Sequence, residues 1–186
     1  MRAAGGEVWC GDETTVREFP PLRAAWARKG VQQVVVISGR NDRRVPHGAL
    51  NPDSGELVRV VRERNRQDDA VAFVEALGHV RPGVPKLLVW DNNPPHKPRR
   101  VQEAAAAAQI EIVWLPFRSP ELNPCEDLWL HLKAEVAANR VFAEMDPLAA
   151  QAVAWLDALT PAERLHLAGL RSSKFQWLLT KPLNFR

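Results

Sequence analysis

The chain has 186 residues, 46% hydrophobic and 25% charged, a composition typical of one globular domain with a proper core. No apolar run approaches the roughly 18 residues of a membrane span, the N-terminus lacks the apolar region of a signal peptide, and two cysteines cannot form a disulfide framework, so a cytoplasmic location is expected. The formal charge is +3, the pI is about 9.2, and basic residues gather in three clusters: Arg40, Arg43 and Arg44; Arg59, Arg62, Arg64 and Arg66; Lys97, Arg99 and Arg100.

The first half of the chain is predicted to form a β-meander. Its first strand begins at Glu7 and ends at Asp12. Because strand side chains alternate, Val8, Cys10 and Asp12 should share one face. An NPDSG turn is expected to separate the last two strands of the meander. The later strands are predicted at residues 31–38, 43–50 and 56–62.

The second half changes to alternating helices and strands. Helical spacing of apolar residues predicts a helix that Asp68 or Asp69 can cap. A strand–helix–strand unit crosses over right-handedly, so the last two strands should be parallel. The predicted fold class is therefore mixed α/β, with helices packed against the sheet. The elements are expected as helix 68–79, strand 86–91, helix 98–108, strand 110–115, a helix capped by Asn123, and helices 147–159 and 161–170.

Three acidic residues lie at the ends of these elements: Asp12, Asp91 and Glu126. Asp91 follows an apolar strand and should emerge at its carboxyl end, where open α/β sheets place their ligands. If the strands of Asp12 and Asp91 are neighbours, their carboxylates lie close together, and like charges at that distance need a cation between them. Hard oxygen ligands favour Mg²⁺ or Mn²⁺, and two carboxylates suit metal-dependent phosphoryl chemistry.

Each of these acids also has a structural interpretation. Glu126 lies three residues after Asn123, at the capping-box position of a helix start. Asp12 could be a turn residue, with Glu13 as the alternative first acid, and Asp91 could belong to a turn after a strand. A soft-metal site at Cys10 and Cys125 would be incomplete without further ligands.

The basic residues suggest an anionic partner. His96 and Lys97 follow Asp91 in the same loop, where His96 could orient a phosphate or a water molecule, although a lone loop histidine is more often a surface residue. Arg99 and Arg100 open a helix, where their charges oppose its dipole. Basic clusters suit a phosphate backbone, although any one cluster alone is more typical of a solvated loop.

Two motifs resemble the catalytic domain of mariner-like insertion-sequence transposases, which are DDE superfamily endonucleases. DNNPPHK spans residues 91–97, and LPFRSPELNPCEDLWLHLK spans residues 115–133. The 34 residues that separate Asp91 from Glu126 match the spacing of that family. GDET at residues 11–14 resembles the family's first acidic motif, and PPLRAAWARKG at residues 20–30 resembles the segment after it.

The resemblance implies a ribonuclease H-like fold over residues 1–160, with residues 161–186 as a C-terminal helix and tail of the same domain or an appendage. It also implies that Asp12, Asp91 and Glu126 bind two divalent ions, Mg²⁺ or Mn²⁺, for cleavage of double-stranded DNA at element ends and strand transfer into target DNA. A bacterial, nucleoid-associated protein is expected, with a homodimer as a further partner. The expected DNA-binding residues are His96, Lys97, Arg99, Arg100, Arg118 and Lys133.

Two departures from the family pattern leave alternatives open. Pro116-Phe117-Arg118 stands where relatives often have Pro-Pro-Tyr, and this change leaves the acids intact. Relatives also carry an N-terminal helix-turn-helix region, so the chain is interpreted as a second reading frame, a fragment or a decayed copy. Other functions are a catalytically silent DNA-binding remnant, against which the intact acids argue, and a cellular nuclease of the junction resolvase type, against which the Leu-Asn-Pro-x-Glu segment argues.

Overall fold

The computed structural model describes residues 5–31, 34–35, 37, 39–142 and 144–180. Six strands form one sheet, and helices cover both of its faces. Short 3₁₀ turns at Pro94–His96, Pro120–Leu122 and Ser173–Phe175, and a π-helical turn at Lys133–Ala137, complete the structure. The strands are β1 (Glu7–Glu13), β2 (Val16–Arg17), β3 (Arg43–Leu50), β4 (Leu57–Arg62), β5 (Lys86–Trp90) and β6 (Ile110–Trp114), and the helices are α1 (Gln67–Gly78), α2 (Arg99–Ala107), α3 (Pro124–Leu132), α4 (Met145–Ala158), α5 (Pro161–Leu167) and α6 (Gln176–Thr180).

The sheet begins as a meander and continues with parallel strands, as the sequence predicted. β3 pairs antiparallel with β1, β2 and β4. β1 pairs parallel with β5, and β5 pairs parallel with β6. Because α2 connects β5 to β6, the expected strand–helix–strand unit is present. The mixed α/β fold class is therefore confirmed.

Alternation along β1 divides the core between the two faces of the sheet. Val8 and Cys10 pack on the face covered by α3, α4, α5 and the C-terminal segment. Trp9 packs on the other face, with residues from α1 and α2. At Gly48 of β3 the backbone approaches the ring of Trp129 so closely that a Cβ atom would lie 2.7 Å from its Cη2 atom.

Most predicted elements are present with ends within about three residues of the expected ones. β1 continues through Glu13 instead of ending at Asp12. Asp69 caps α1, since its carboxylate accepts a hydrogen bond from the backbone N–H of Arg66 at 3.0 Å. The prediction of a strand at 31–38 is wrong for the residues of this run that the structure describes. Residues 31, 34, 35 and 37 have no strand conformation, and residues 32, 33, 36 and 38 lie outside the described part of the chain.

The connection from β2 to β3 carries large apolar side chains on its surface. They are Phe19, Leu22, Trp26, Val31, Val34 and Ile37, and Trp26 is fully exposed. The apolar run at 31–38 has β-propensity, but its described residues pair with no strand and lie outside the sheet. Within the described residues, no helix is both long and apolar enough to cross a membrane.

Candidate active site

The pairing of β1 with β5 places two acids side by side. In this parallel pair Cys10 is opposite Val89, and Asp12 and Asp91 each lie two residues beyond that pair. Asp12 lies on the face of Val8 and Cys10, as alternation predicted, and only 4% of its surface is exposed. Asp91 follows the last residue of β5, at the carboxyl end of the strand.

The start of α3 is fixed to the same strand by two contacts. The side-chain amide of Asn123 donates to the carbonyl oxygen of Gly11 at 2.9 Å, and the thiol of Cys125 donates to the carbonyl oxygen of Cys10 at 3.0 Å. Asn123 also caps the helix by accepting from the N–H of Cys125. These contacts bring Glu126, in the first turn of α3, to the edge of the sheet where Asp12 and Asp91 lie.

The capping-box interpretation of Glu126 is not supported. The backbone N–H of Asn123 donates to the carbonyl oxygen of Pro120 at 2.9 Å. Among the described residues, the carboxylate of Glu126 makes no hydrogen bond to Asn123 or to any other group. The helix is capped by Asn123 alone, which leaves the carboxylate of Glu126 free to face the cavity beside it.

The three acids line one cavity of about 220 Å³, together with Asn92, Asn93, Asn123 and the 115–120 loop. Burial raises the pKa of Asp12 well above its usual range, and the charges of Glu126, Glu13 and Asp91 raise it further. Burial also raises the pKa of Glu126, against the opposing charge of Lys133. The Oδ2 atom of Asp12 is buried without a hydrogen-bond partner. Facing carboxylates with an unsatisfied buried oxygen could hold a cation, by charge and by ligand type.

His96 lies beneath this cavity and joins two acids. Its Nδ1 atom is 2.8 Å from Oδ1 of Asp91, and its Nε2 atom is 3.1 Å from Oε2 of Glu13. The imidazole is completely buried and stacks on Trp90 at 3.7 Å between ring centroids. Burial by itself would lower the pKa of His96, but the hydrogen bonds to Asp91 and Glu13 outweigh it and raise the pKa to about 9.

Glu13 belongs to this buried network on the face opposite Asp12. Its Oε1 atom accepts hydrogen bonds from the side-chain amides of Asn65 and Asn93, each at 2.5 Å. Glu13, Asp91 and His96 lie close enough together to hold a metal ion. Because both ring nitrogens of His96 face carboxylates, however, the group is better described as an ion-paired bridge than as a metal site. The sequence alone did not predict this bridge, although the Pro94-Pro95 turn directs His96 back towards Asp91 and is a usable signal.

The predicted DNA-binding residues lie in different environments. His96 is completely buried and its two nitrogens face carboxylates, so a direct DNA contact by His96 does not fit its position. The ammonium of Lys97 lies 3.2 Å from the ring centroid of Trp114 and donates to Asn92, whose amide contacts the carbonyl oxygen of Leu115. Lys97 therefore joins the ends of β5 and β6.

The other four residues are closer to solvent. Arg99 and Arg100 are exposed, with ion pairs to Glu103 and Asp68. Arg118 lines the cavity with its guanidinium 5.2 Å from the ring centroid of Phe117. Lys133 is near enough to Glu126 to oppose the rise of its pKa.

A family model described as DDE superfamily endonuclease matches residues 7–149, which include all three acids. The chain belongs to the DDE superfamily endonucleases. A similar protein is the insertion element IS630 uncharacterized 39 kDa protein of Shigella sonnei, 24% identical over 83% of this chain and 46% of that protein. The uncharacterized protein y4pE/y4sA of Sinorhizobium fredii is 33% identical over 62% of this chain and 72% of that protein.

Solved structures of Mos1 transposase share the fold of this DDE endonuclease chain. The Mos1 mariner paired end complex with Mn has a TM-score of 0.68 and 15% identity, over 88% of this chain and 52% of that chain. The catalytic domain of Mos1 mariner transposase has a TM-score of 0.63 and 15% identity, over 91% and 79% of the two chains. The ribonuclease H-like fold expected from the sequence is therefore confirmed. The chain spans about half the length of the IS630 protein and of Mos1 in its complexes.

Proposed function

We propose that this chain is the catalytic domain of a transposase that hydrolyses phosphodiester bonds at transposon ends and transfers the cut strand into target DNA. The observation that carries the proposal is the convergence of Asp12, Asp91 and Glu126 on one cavity. Strand β1, strand β5 and helix α3 each contribute one acid, and all three belong to the stretch matched by the endonuclease family.

The residues of the cavity fit divalent ions. Asp12 has a buried oxygen without a partner, and burial and its acidic neighbours raise its pKa. Within the described residues, Glu126 has no competing hydrogen bond. Asp12, Asp91 and Glu126 would hold two Mg²⁺ or Mn²⁺ ions, as carboxylates hold hard cations. Bound ions would supply an activated water or 3′-hydroxyl and would stabilise the leaving oxygen at phosphorus.

The chain's own groups orient these ligands and the DNA. The bridge from Glu13 through His96 fixes one oxygen of Asp91, which leaves its other oxygen for the cavity. The contact of Asn123 with Gly11 sets the distance between Glu126 and Asp12. Arg118 at the cavity wall and Lys133 near Glu126 would contact phosphates close to the reacting bond.

We also propose a setting for this domain. Residues 161–180 belong to the same domain, because Leu165, Phe175 and Leu178 are buried in the core cluster of α3 and α4. The exposed apolar side chains between β2 and β3 support pairing with a second copy of the chain. Recognition of transposon ends would depend on a helix-turn-helix region outside these residues, and the protein would act in the bacterial cytoplasm at the nucleoid.

Metal-dependent nicking of DNA tests the proposed activity. The purified chain, alone or joined to an end-recognition region, should nick duplex DNA with Mg²⁺ or Mn²⁺ and not with Ca²⁺. Asp91→Asn and Glu126→Gln should each abolish nicking while circular dichroism stays unchanged. Glu126→Gln should also reduce the rise in Tm that Mn²⁺ produces, since binding to the folded state stabilises it by mass action. Undiminished nicking by either variant would remove that residue from the site.

A further inference from the structure

A second cavity, of about 500 Å³, lies between the ends of three strands and is lined mainly by arginines. Arg17 of β2 pairs with Arg43 of β3, and Arg64 follows the end of β4. Two of the basic clusters in the sequence therefore meet at one place in the fold. Residues Arg17, Asn41, Asp42, Arg43, Arg44, Glu63 and Arg64 line this arginine cavity.

The arginine cavity has more positive charge than its acidic residues balance. Four guanidinium groups face two carboxylates, and no ion pair within the described residues joins Asp42 or Glu63 to any of these arginines. Of these four arginines, Arg44 is the one with an acidic partner in the described part of the chain, Asp146 at 2.6 Å. Elsewhere on β4 the arginines are paired, Arg59 with Asp157 and Arg62 with Asp69.

One donor in the arginine cavity is buried without a partner. The Nε atom of Arg43 is shielded from water and makes no hydrogen bond. Arg17 reaches only the side-chain oxygen of Asn41, at 3.5 Å, and the side chain of Arg64 has no partner in the described part of the chain. A desolvated cationic donor is unfavourable unless an acceptor arrives from outside the protein. Guanidinium groups bind phosphate oxygens in pairs, so a phosphate is the ligand that suits this set.

The position of the arginine cavity relates it to the candidate active site. Gly48 of β3 is opposite Asp12, and Arg43 precedes Gly48 by five residues. Because β1 and β3 are antiparallel, Arg43 lies beyond Asp12 in the direction in which β1 runs. At about 3.4 Å per residue, these five residues of β3 span roughly 17 Å. The spacing of nucleotides along a DNA strand is also about 3.4 Å, so the same distance corresponds to roughly five base-pair steps. A duplex with one phosphodiester at the three acids would therefore extend to this edge of the sheet.

We propose that the arginine cavity binds a backbone phosphate of the DNA duplex whose reacting phosphodiester lies at Asp12, Asp91 and Glu126. This inference rests on the proposed function for the identity of the DNA. The contact is independent of base sequence, since phosphate contacts position a protein without reading bases. It gives the domain a second anchoring point for the duplex, remote from the acids.

A salt titration of DNA binding tests this contact. The variant Arg43→Gln with Arg64→Gln is compared with the wild type on a random duplex in EDTA, so that no cleavage occurs. Each lost phosphate contact should make the slope of log affinity against log salt shallower by about one. We expect a slope shallower by one to two, with affinity several-fold weaker at low salt. Arg59→Gln with Arg81→Gln is the matched control, because it removes the same charge from arginines that already have carboxylate partners.

The outcomes separate this proposal from the proposed activity. An unchanged slope, or an equal change in the control, would overturn the phosphate contact whether or not the wild type nicks DNA. Inorganic phosphate tests whether the cavity binds free anions instead of DNA. If phosphate raises the Tm of the wild type and not that of the double variant, while the two proteins have the same salt slope for DNA, the cavity binds small anions and not DNA. If the double variant does not fold, the same titration is made with Arg64→Gln alone, since Arg64 is exposed and follows β4.

Discussion

His96 holds Asp91 by a contact of 2.8 Å between Nδ1 and Oδ1, within a completely buried ring stacked on Trp90. The other nitrogen contacts Glu13, which is fixed by two asparagine amides. The orientation of a proposed metal ligand on one face of the sheet therefore depends on an acid from the opposite face. Partners that orient metal ligands in this way commonly change activity when they are replaced.

His96→Gln should reduce metal-dependent nicking by about 10–100-fold, because Asp91 loses the partner that orients it. The expected change includes a higher Mn²⁺ concentration for half-maximal rate, which loss of packing alone would not produce. His79→Gln is the matched control, since His79 is exposed at the end of α1. Equal activity of the His96 variant and the wild type would show that the bridge has no role in the site.

Glu13→Gln should have an effect similar to His96→Gln and smaller than Asp12→Asn, which removes a proposed metal ligand. Because Glu13 acts on Asp91 through His96, the double variant Glu13→Gln with His96→Gln should be little worse than either single variant. Nicking rates of the four proteins of this cycle give the coupling. Additive losses would mean that Glu13 acts on the site independently of His96.

The raised pKa of Asp12 predicts the pH dependence of stability without metal. A carboxyl whose pKa is higher in the folded state binds its proton more tightly there, so its contribution is present below the unfolded pKa and is lost as pH rises through the folded pKa. In EDTA, Asp12→Asn should therefore be more stable than the wild type at neutral pH, and the difference should shrink towards about pH 4. Urea unfolding at several pH values measures this. A difference that grows on acidification would contradict the raised pKa.

Lys97→Gln should lower stability and leave the salt dependence of DNA binding unchanged. Its ammonium is held by Trp114 and Asn92, and a cation–π contact contributes about 0.5–2 kcal/mol. Arg118→Gln should do the reverse and make the salt slope shallower by about one, because Arg118 is exposed at the cavity wall and has no carboxylate partner among the described residues. Thermal unfolding and DNA titration of both variants decide between these roles. A shallower slope for Lys97→Gln would restore Lys97 as a phosphate contact.

Gly48→Ala should destabilise the protein by about 1–3 kcal/mol, because the new methyl group would overlap the buried ring of Trp129. Replacing Trp129 by Phe removes the ring atoms in conflict, so Gly48→Ala should cost less in a Trp129→Phe background. Denaturant unfolding of the four proteins gives the coupling energy. Strict additivity would show that the ring moves aside without cost.

The sequence by itself determined the order of most elements and the face of Asp12. Period-2 alternation in β1 and the apolar run of β5 are local patterns, and they decide which side chains share a face and where a charge can emerge. The spacing of Asp91 and Glu126, with the motifs around them, identified the family. Asn123-Pro124 located the start of α3, because cap preferences depend on a few adjacent residues.

Only the tertiary structure decided how distant residues combine. Glu126 fits a capping box by spacing, and it is the contact of Asn123 with Gly11 that places it beside Asp12 instead. In the sequence His96 is a loop residue. In the fold it is buried and contacts Glu13, which is more than eighty positions away in the chain. The residues at 31–38 have strand propensity, yet their described part has no partner strand, because pairing depends on neighbours that local sequence does not specify. The arginine cavity likewise exists only because β2, β3 and β4 end together.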